Sequence, residues 1–158
     1  MCIRDRSSTD GLFRIDKALK KVAEYDYYDP ALHTALSEKT TTSFVDNEGS
    51  IWIGTQGGLI VDHANGKSSF YSATSSPHLS NNHVRKIFPL SDSITLIATS
   101  AGLNYLNTNK NTIRTVDVTS GLANDMIYSF EIDNDHDIWV STNTVSYTHL
   151  TLPTTPYV

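Results

Sequence analysis

Three stretches of this 158-residue chain are copies of one another at almost constant spacing, and that periodicity constrains the fold more than any other feature. The run DNEGSIWIGT from Asp46 to Thr55 aligns with LSDSITLIAT from Leu90 to Thr99 and with DNDHDIWVST from Asp133 to Thr142. The closing threonines stand 44 and 43 residues apart. A Gly-Leu pair follows the first two, Gly58-Leu59 and Gly102-Leu103, and Gly11-Leu12 fits the same slot, with Ser8 where threonine would stand. Upstream, LSEKTTTSFV (Leu36 to Val45), LSNNHVRKIF (Leu79 to Phe88) and LANDMIYSFE (Leu122 to Glu131) recur every 43 residues.

Each unit reads as four short strands separated by turn chemistry. In the best-preserved copy the first strand runs roughly from Thr41 to Val45. Asp46-Asn47-Glu48-Gly49 makes the first hairpin, with the carboxylate accepting backbone N–H groups and the glycine free to take positive φ. Ile51 to Thr55 is the second strand, Gln56-Gly57-Gly58 turns the chain, and Leu59 to Val61 is the third. Asn65-Gly66 is a two-residue hairpin signal leading into Ser68 to Tyr71. The second strands are nearly unbroken apolar runs: Ile51-Trp52-Ile53, Leu96-Ile97-Ala98 and Ile138-Trp139-Val140. A sheet with one wet face would alternate instead, so both faces of each unit are expected to be covered by neighbours. A four-stranded unit of this length, stacked on both faces, is a β-propeller blade.

The expected fold class is therefore all-β, a partial propeller. It comprises half a blade (about 7–35), two full four-stranded blades (36–78 and 79–121) and half of another (122–144). The framework positions are Asp46, Gly49, Trp52, Thr55, Gly58, Leu59, Thr99, Gly102, Leu103, Asp133, Trp139 and Thr142. In the middle copy Leu90, Ser93 and Leu96 replace the aspartate, glycine and tryptophan, which loosens its hairpin and removes an aromatic from the packing.

Both ends read as foreign to the repeat. Codons for Met1-Cys2-Ile3-Arg4-Asp5 can be the reverse complement of codons for Val145-Ser-Tyr-Thr-His149, and both strings resemble the translated end of a transposon-type sequencing adapter. Residues 1–6 and 145–158 are therefore set aside as adapter-derived. The repeat region then lacks cysteine, since Cys2 is the only one, and carries 10 basic against 16 acidic residues. Scattered cations and a net negative charge argue against a nucleic-acid partner.

The motif D-x-x-G-x-I-W-I-G-T-x-x-G-L, standing as Asp46 to Leu59, resembles the two-component-regulator propeller repeat. The lead-in L-S-N-N-x-V-x-x-I of Leu79 to Ile87 matches that family too. The resemblance covers nearly all of Ser7 to Asn143. It implies a ring of about seven blades, in a periplasmic sensor region like those of hybrid histidine kinases, some relatives being joined to diguanylate cyclases. Many such sensors respond to oligosaccharides. A homodimer of the full-length sensor and contact with the remaining blades are the partners it implies. A streptogramin-lyase-like enzyme propeller and a protein-binding scaffold stand as the alternatives, since fold does not fix function.

No residue pattern points to catalysis, cofactor or metal within the fragment, which is expected to be non-catalytic. Asp133-Asn134-Asp135-His136-Asp137 imitates the start of a calcium loop, but Ile138 and Thr144 occupy the places of the required glycine and glutamate. His33, His63, His78, His83 and His136 form no close pair. The Tyr25-Asp26-Tyr27-Tyr28 cluster lies where an outer strand meets a long loop, where it can stack on a glycan or pack against the next blade. Trp52 and Trp139 hold equivalent positions and read as packing residues. Propeller ligands usually meet the loops before the first strand and between the second and third, which makes Asn82, His83, Asn124, Asp125 and Gln56 the candidate ligand-binding residues. The recurring asparagine also suits a turn entering a strand.

Overall fold

The turn residues of the repeat do their local work before any packing. In the computed structural model, which describes residues 12–15, 18, 22–24, 38–143 and 148–150, Asp46 Oδ1 accepts the backbone N–H groups of Glu48 (3.0 Å) and Ser50 (2.8 Å). Its Oδ2 accepts the indole N–H of Trp52 at 2.9 Å, so one carboxylate folds the hairpin and anchors the aromatic behind it. Asp133 repeats the arrangement with Asp135, Asp137 and Trp139, the indole at 2.7 Å. This commitment accounts for the calcium-like string as turn chemistry. His136 takes φ +67° where the first copy has glycine. In the middle copy Ser91 Oγ accepts from the N–H groups of Ser93 and Ile94, so the turn survives, while Leu90 and Leu96 join the apolar core.

Four antiparallel sheets result, each with its strands in sequence order. An N-terminal pair joins β1 (Phe13–Ile15) to β2 (Val22–Glu24). Blade 1 comprises β3 (Thr40–Val45), β4 (Ile51–Thr55), β5 (Leu59–Asp62) and β6 (Ser68–Tyr71). Blade 2 comprises β7 (Val84–Pro89), β8 (Ile94–Thr99), β9 (Gly102–Asn107) and β10 (Thr112–Val116). Blade 3 comprises β11 (Ile127–Ile132), β12 (Ile138–Thr142) and a short β13 (Thr148–Leu150). The strand β13 lies in the segment set aside above as foreign to the repeat. It pairs with Ile138 to Val140, because the free edge of β12 presents unpaired backbone groups to any extended segment that follows. Leu36, Gly11, His33 and the Tyr25 to Tyr28 cluster lie outside the described residues.

Packing follows the unbroken apolar strands. Cross-strand partners Trp52 and Val61 share one face of blade 1, Ile53 and Ile60 the other, and none is more than 4% exposed. Trp52, Leu59 and Val61 meet Val84, Ile87, Ile97 and Leu106 to form the core between blades 1 and 2, with Phe44 stacked on Trp52 at 5.4 Å. One step along, Leu96, Ala98 and Leu103 meet Ile127, Phe130, Ile138 and Val140. Blade 2 is thus apolar on both faces, as a stacked sheet requires.

The blades approach most closely at their first strands. A Cβ built on Gly54 would stand 2.6 Å from Val84 Cγ1, so a small residue there lets β7 cross β4. Ala98 and Ser141 hold the same place in the other copies. Thr41 Oγ1 donates to Val84 O, and Lys86 Nζ reaches Phe130 O and the Glu131 carboxylate, all between consecutive first strands. In a fan of blades the converging strands form the inner rim. The sequence-order sheets and this convergence make the molecule a segment of a β-propeller.

The second-to-third turn is as well determined as the first. Thr55 Oγ1 accepts from Gly57 and Gly58 N–H groups and donates to Gly58 O, each at 3.0 Å. Thr99 Oγ1 likewise accepts from Ala101 N–H and donates to Gly102 O, while the Gly102 N–H turns to Asp125 O of the next lead-in. Gly58 has φ +148°, and a Cβ there would lie 2.6 Å from Tyr71 O. No side chain fits.

One framework position is discordant. Thr40 stands where blades 2 and 3 have Val84 and Ile127, and its Oγ1 is buried without a hydrogen-bond partner among the described residues. Replacing Thr40 with valine removes an orphaned hydroxyl at nearly equal volume. The urea midpoint of Thr40→Val is expected to equal or exceed that of the parent, by up to about 1–2 kcal/mol in stability.

Candidate functional site

Each first strand carries a β-bulge one residue from its start: between Thr40 and Thr42, between Val84 and Lys86, and between Ile127 and Ser129. The extra residues are Thr41, Arg85 and Tyr128, separated by the repeat spacing. A bulge frees one residue from the ladder and re-aims its side chain. Because β3, β7 and β11 are the innermost strands, these three side chains stand at the loop end of the inner rim.

Two more positions per blade surround each bulge. The residue before the strand is Lys39, His83 or Met126, and the residue after the repeat threonine is Gln56, Ser100 or Asn143. Backbone bonds tie these groups together: Gln56 N–H donates to Lys39 O at 3.1 Å, and Ser100 N–H to His83 O at 3.2 Å. Side chains add a second tier. Arg85 Nε donates to Ser100 Oγ at 3.1 Å, and Tyr128 OH donates to Asn143 Oδ1 at 3.0 Å, the same link one blade later. Arg85 also lies over the Tyr128 ring, 5.0 Å from its centroid, a cation–π contact from blade 2 to blade 3. The scaffold therefore repeats, while the side chains it displays differ from blade to blade: Lys, Thr, Gln; His, Arg, Ser; Met, Tyr, Asn.

The residues singled out from sequence divide between this rim and the turns beneath it. Gln56 and His83 occupy rim positions. Asn82 Oδ1 accepts the N–H of Ala73 at 2.6 Å, pinning the loop that returns from blade 1. Asn124 Oδ1 accepts from Met126 N–H at 2.8 Å, as Asn81 Oδ1 does from His83 N–H, two residues on in each case. Asp125 Oδ1 accepts from Val118 N–H at 2.7 Å, and its carbonyl accepts from Gly102 N–H. These three are engaged with backbone; Gln56 and His83 are the pair nearest the bulges. Arg85 and Tyr128 were not singled out from sequence. The 43-residue alignment of the lead-ins sets Thr42 opposite Arg85, whereas the strand pairings place Thr41 there, 44 residues back. Each first strand is registered by its pairing to the repeat threonine, and a bulge leaves no mark on composition. Among the described residues no group of three or more His, Cys, Asp or Glu side chains converges to hold a metal ion.

The rim is electropositive around His83. Burial lowers the affinity of its imidazole for a proton, and the charges of Arg85 and Lys39 lower it further. A folded-state value below that of the unfolded chain (about 6.5) means that the unfolded state takes up the proton first as pH falls. Stability should be independent of His83 above that value, and should decline with acidification between the unfolded and folded values. His83→Gln is expected to flatten that part of the pH dependence, read as urea midpoints at neutral and mildly acidic pH.

Comparison with known proteins places this geometry. Residues 121–144 match the family model described as two component regulator propeller. No curated protein matches the sequence. Among solved structures the chain is similar to the extracellular domain of the hybrid two-component system BT3049 from B. thetaiotaomicron, at 23% identity and a TM-score of 0.64, covering 89% of this chain and 17% of that one. It is similar to the corresponding domain of BT4673 from the same organism, at 17% identity and a TM-score of 0.74, covering 92% and 21%. It is also similar to virginiamycin B lyase from Staphylococcus aureus, at 15% identity and a TM-score of 0.60, covering 92% and 50%. The chain thus spans about a fifth of the length of the two-component-system domains it matches. At these identities the likeness establishes the propeller fold.

Proposed function

We propose that this chain is part of the sensor propeller of a bacterial two-component system, exported from the cytoplasm, binding a small ligand at the inner rim and passing the event to a cytoplasmic output domain. The observation that carries this reading is the rim itself, where a repeated framework of bulges and threonine turns presents a different set of side chains from each blade. A framework held constant while its displayed side chains change is what recognition of an asymmetric ligand requires. The match at 121–144 and the two-component-system domains among the structural neighbours support the same reading. Sugars are the ligand class we favour, because amide, hydroxyl and phenol groups beside an aromatic ring suit hydroxyl-rich rings. Signalling would follow from different ligand affinity in two arrangements of the full propeller.

The reading frame on either side of this segment tests the proposal. A signal peptide upstream, with a membrane helix and a phosphotransfer domain downstream, is the expected result. A stop codon shortly after ring closure, with no membrane helix, contradicts it. A histidine and glutamate cluster on one face of the closed ring would favour the enzyme reading that the lyase likeness keeps in view.

A further inference from the structure

We infer that the rim of blades 1 and 2 binds an oxyanion, a carboxylate or sulfate group borne by the ligand, between Lys39, His83 and Arg85. The inference rests on the rim being the ligand-facing surface and adds the chemical class of what it takes.

Lys39 from blade 1 and His83 and Arg85 from blade 2 lie close enough there that the lysine and arginine charges act on the imidazole. Thr41 Oγ1 bonds Val84 O, which brings the entry to β3 alongside the entry to β7 and so sets Lys39 beside His83. Arg85 follows two residues on, aimed out of the ladder by its bulge. None of the three makes an ion pair among the described residues, whereas the next lysine, Lys86, is paired with Glu131. The carboxylates on the same elements are turned elsewhere: Asp125 to the Val118 N–H, Glu131 to Lys86. Glu38 is exposed, with its stem lying over Gly57.

The guanidinium is held ready. Its Nε donates to Ser100 Oγ and its Cζ lies over the Tyr128 ring. With Nε occupied, the terminal nitrogens remain as donors suited to an oxyanion. A fixed guanidinium loses less entropy on binding than a free one. The charges of Lys39 and Arg85 repel one another, and an anion seated between them relieves that repulsion, with the uncharged His83 ring able to add an N–H donor.

Titrating the isotope-labelled chain with sodium glucuronate, sodium sulfate and glucose, in about 0.15 M salt to suppress diffuse attraction, tests the assignment. The amide signals of His83, Arg85 and Ser100 are expected to shift saturably with glucuronate and sulfate and not with glucose. Arg85→Gln and Lys39→Gln should each weaken binding about tenfold or more, and Lys110→Gln, on the outer hairpin of blade 2, should leave it unchanged. Lys39 has no side-chain hydrogen bond among the described residues, so its variant keeps the test valid if Arg85→Gln unfolds. Equal response to glucose and glucuronate would overturn the anion assignment and leave the rim as a sugar site. Shifts undiminished in Lys39→Gln would also overturn it. Silence of these amides to all three ligands would overturn both readings.

Discussion

Truncating Trp52 to alanine is expected to lower stability by about 3–5 kcal/mol, while the same change at Trp139 costs less than half as much. The two residues hold one repeat position and bond equivalent aspartates, yet Trp52 is 4% exposed and Trp139 is 45% exposed. The difference is the next blade. Trp52 is covered by Val84, Ile87 and Ile97 of blade 2, whereas Trp139 belongs to neither inter-blade core and stays half exposed. Removing a buried indole forfeits transfer energy and leaves a cavity, and removing a half-exposed one forfeits much less of either. Urea midpoints of Trp52→Ala and Trp139→Ala measure the contrast. Equal losses would mean that the tryptophans act within their own sheets and that stacking contributes little.

Replacing Asn104 with leucine should cost about 2–4 kcal/mol, although the residue is fully buried and the substitution is more apolar. Asn104 uses its whole side-chain capacity. Its Oδ1 accepts from Ser80 N–H and Thr115 Oγ1, both at 3.0 Å, and its Nδ2 donates to Ser80 Oγ (2.8 Å) and Ile97 O (3.3 Å). Ser80 Oγ continues to Thr99 Oγ1, so one amide ties the lead-in of blade 2 to its second, third and fourth strands. Leucine would strand those partners in the interior. Blade 1 has Ile60 at the equivalent place, which makes an apolar residue look acceptable from the repeat alone. Amide exchange should localise the loss, with protection falling first at Ser80. A neutral Asn104→Leu would show that the network contributes nothing to stability.

The blade architecture was legible because stacking demands apolar residues on both faces at fixed intervals, and Ile51-Trp52-Ile53 and its copies show this without alignment to anything else. The hairpins were legible for the same kind of reason: Asp46, Gly49, Thr55 and Gly58 are chosen by local backbone geometry. The indole-to-carboxylate bond was less visible. Its trace was the paired loss in the middle copy, where Leu90 and Leu96 replace aspartate and tryptophan together and both enter the core. The rim was least legible. Asn82, Asn124 and Asp125 carry polar groups in the expected loops, but their side chains close turns, while Arg85 and Tyr128 sit inside strands and reach the rim only because a bulge rotates them. Alternation cannot reveal a residue that has left the alternation.

The central claim is that consecutive repeats are separate sheets packed face to face, with β7 crossing over Gly54 of β4. A nuclear Overhauser map of the labelled chain tests it most directly. The account predicts contacts from the Gly54 α-protons to the Val84 methyl groups, and between the methyl groups of Ala98 and Ile127 one repeat later. Absence of both sets, with β3 to β6 still paired in their own sheet, would contradict it.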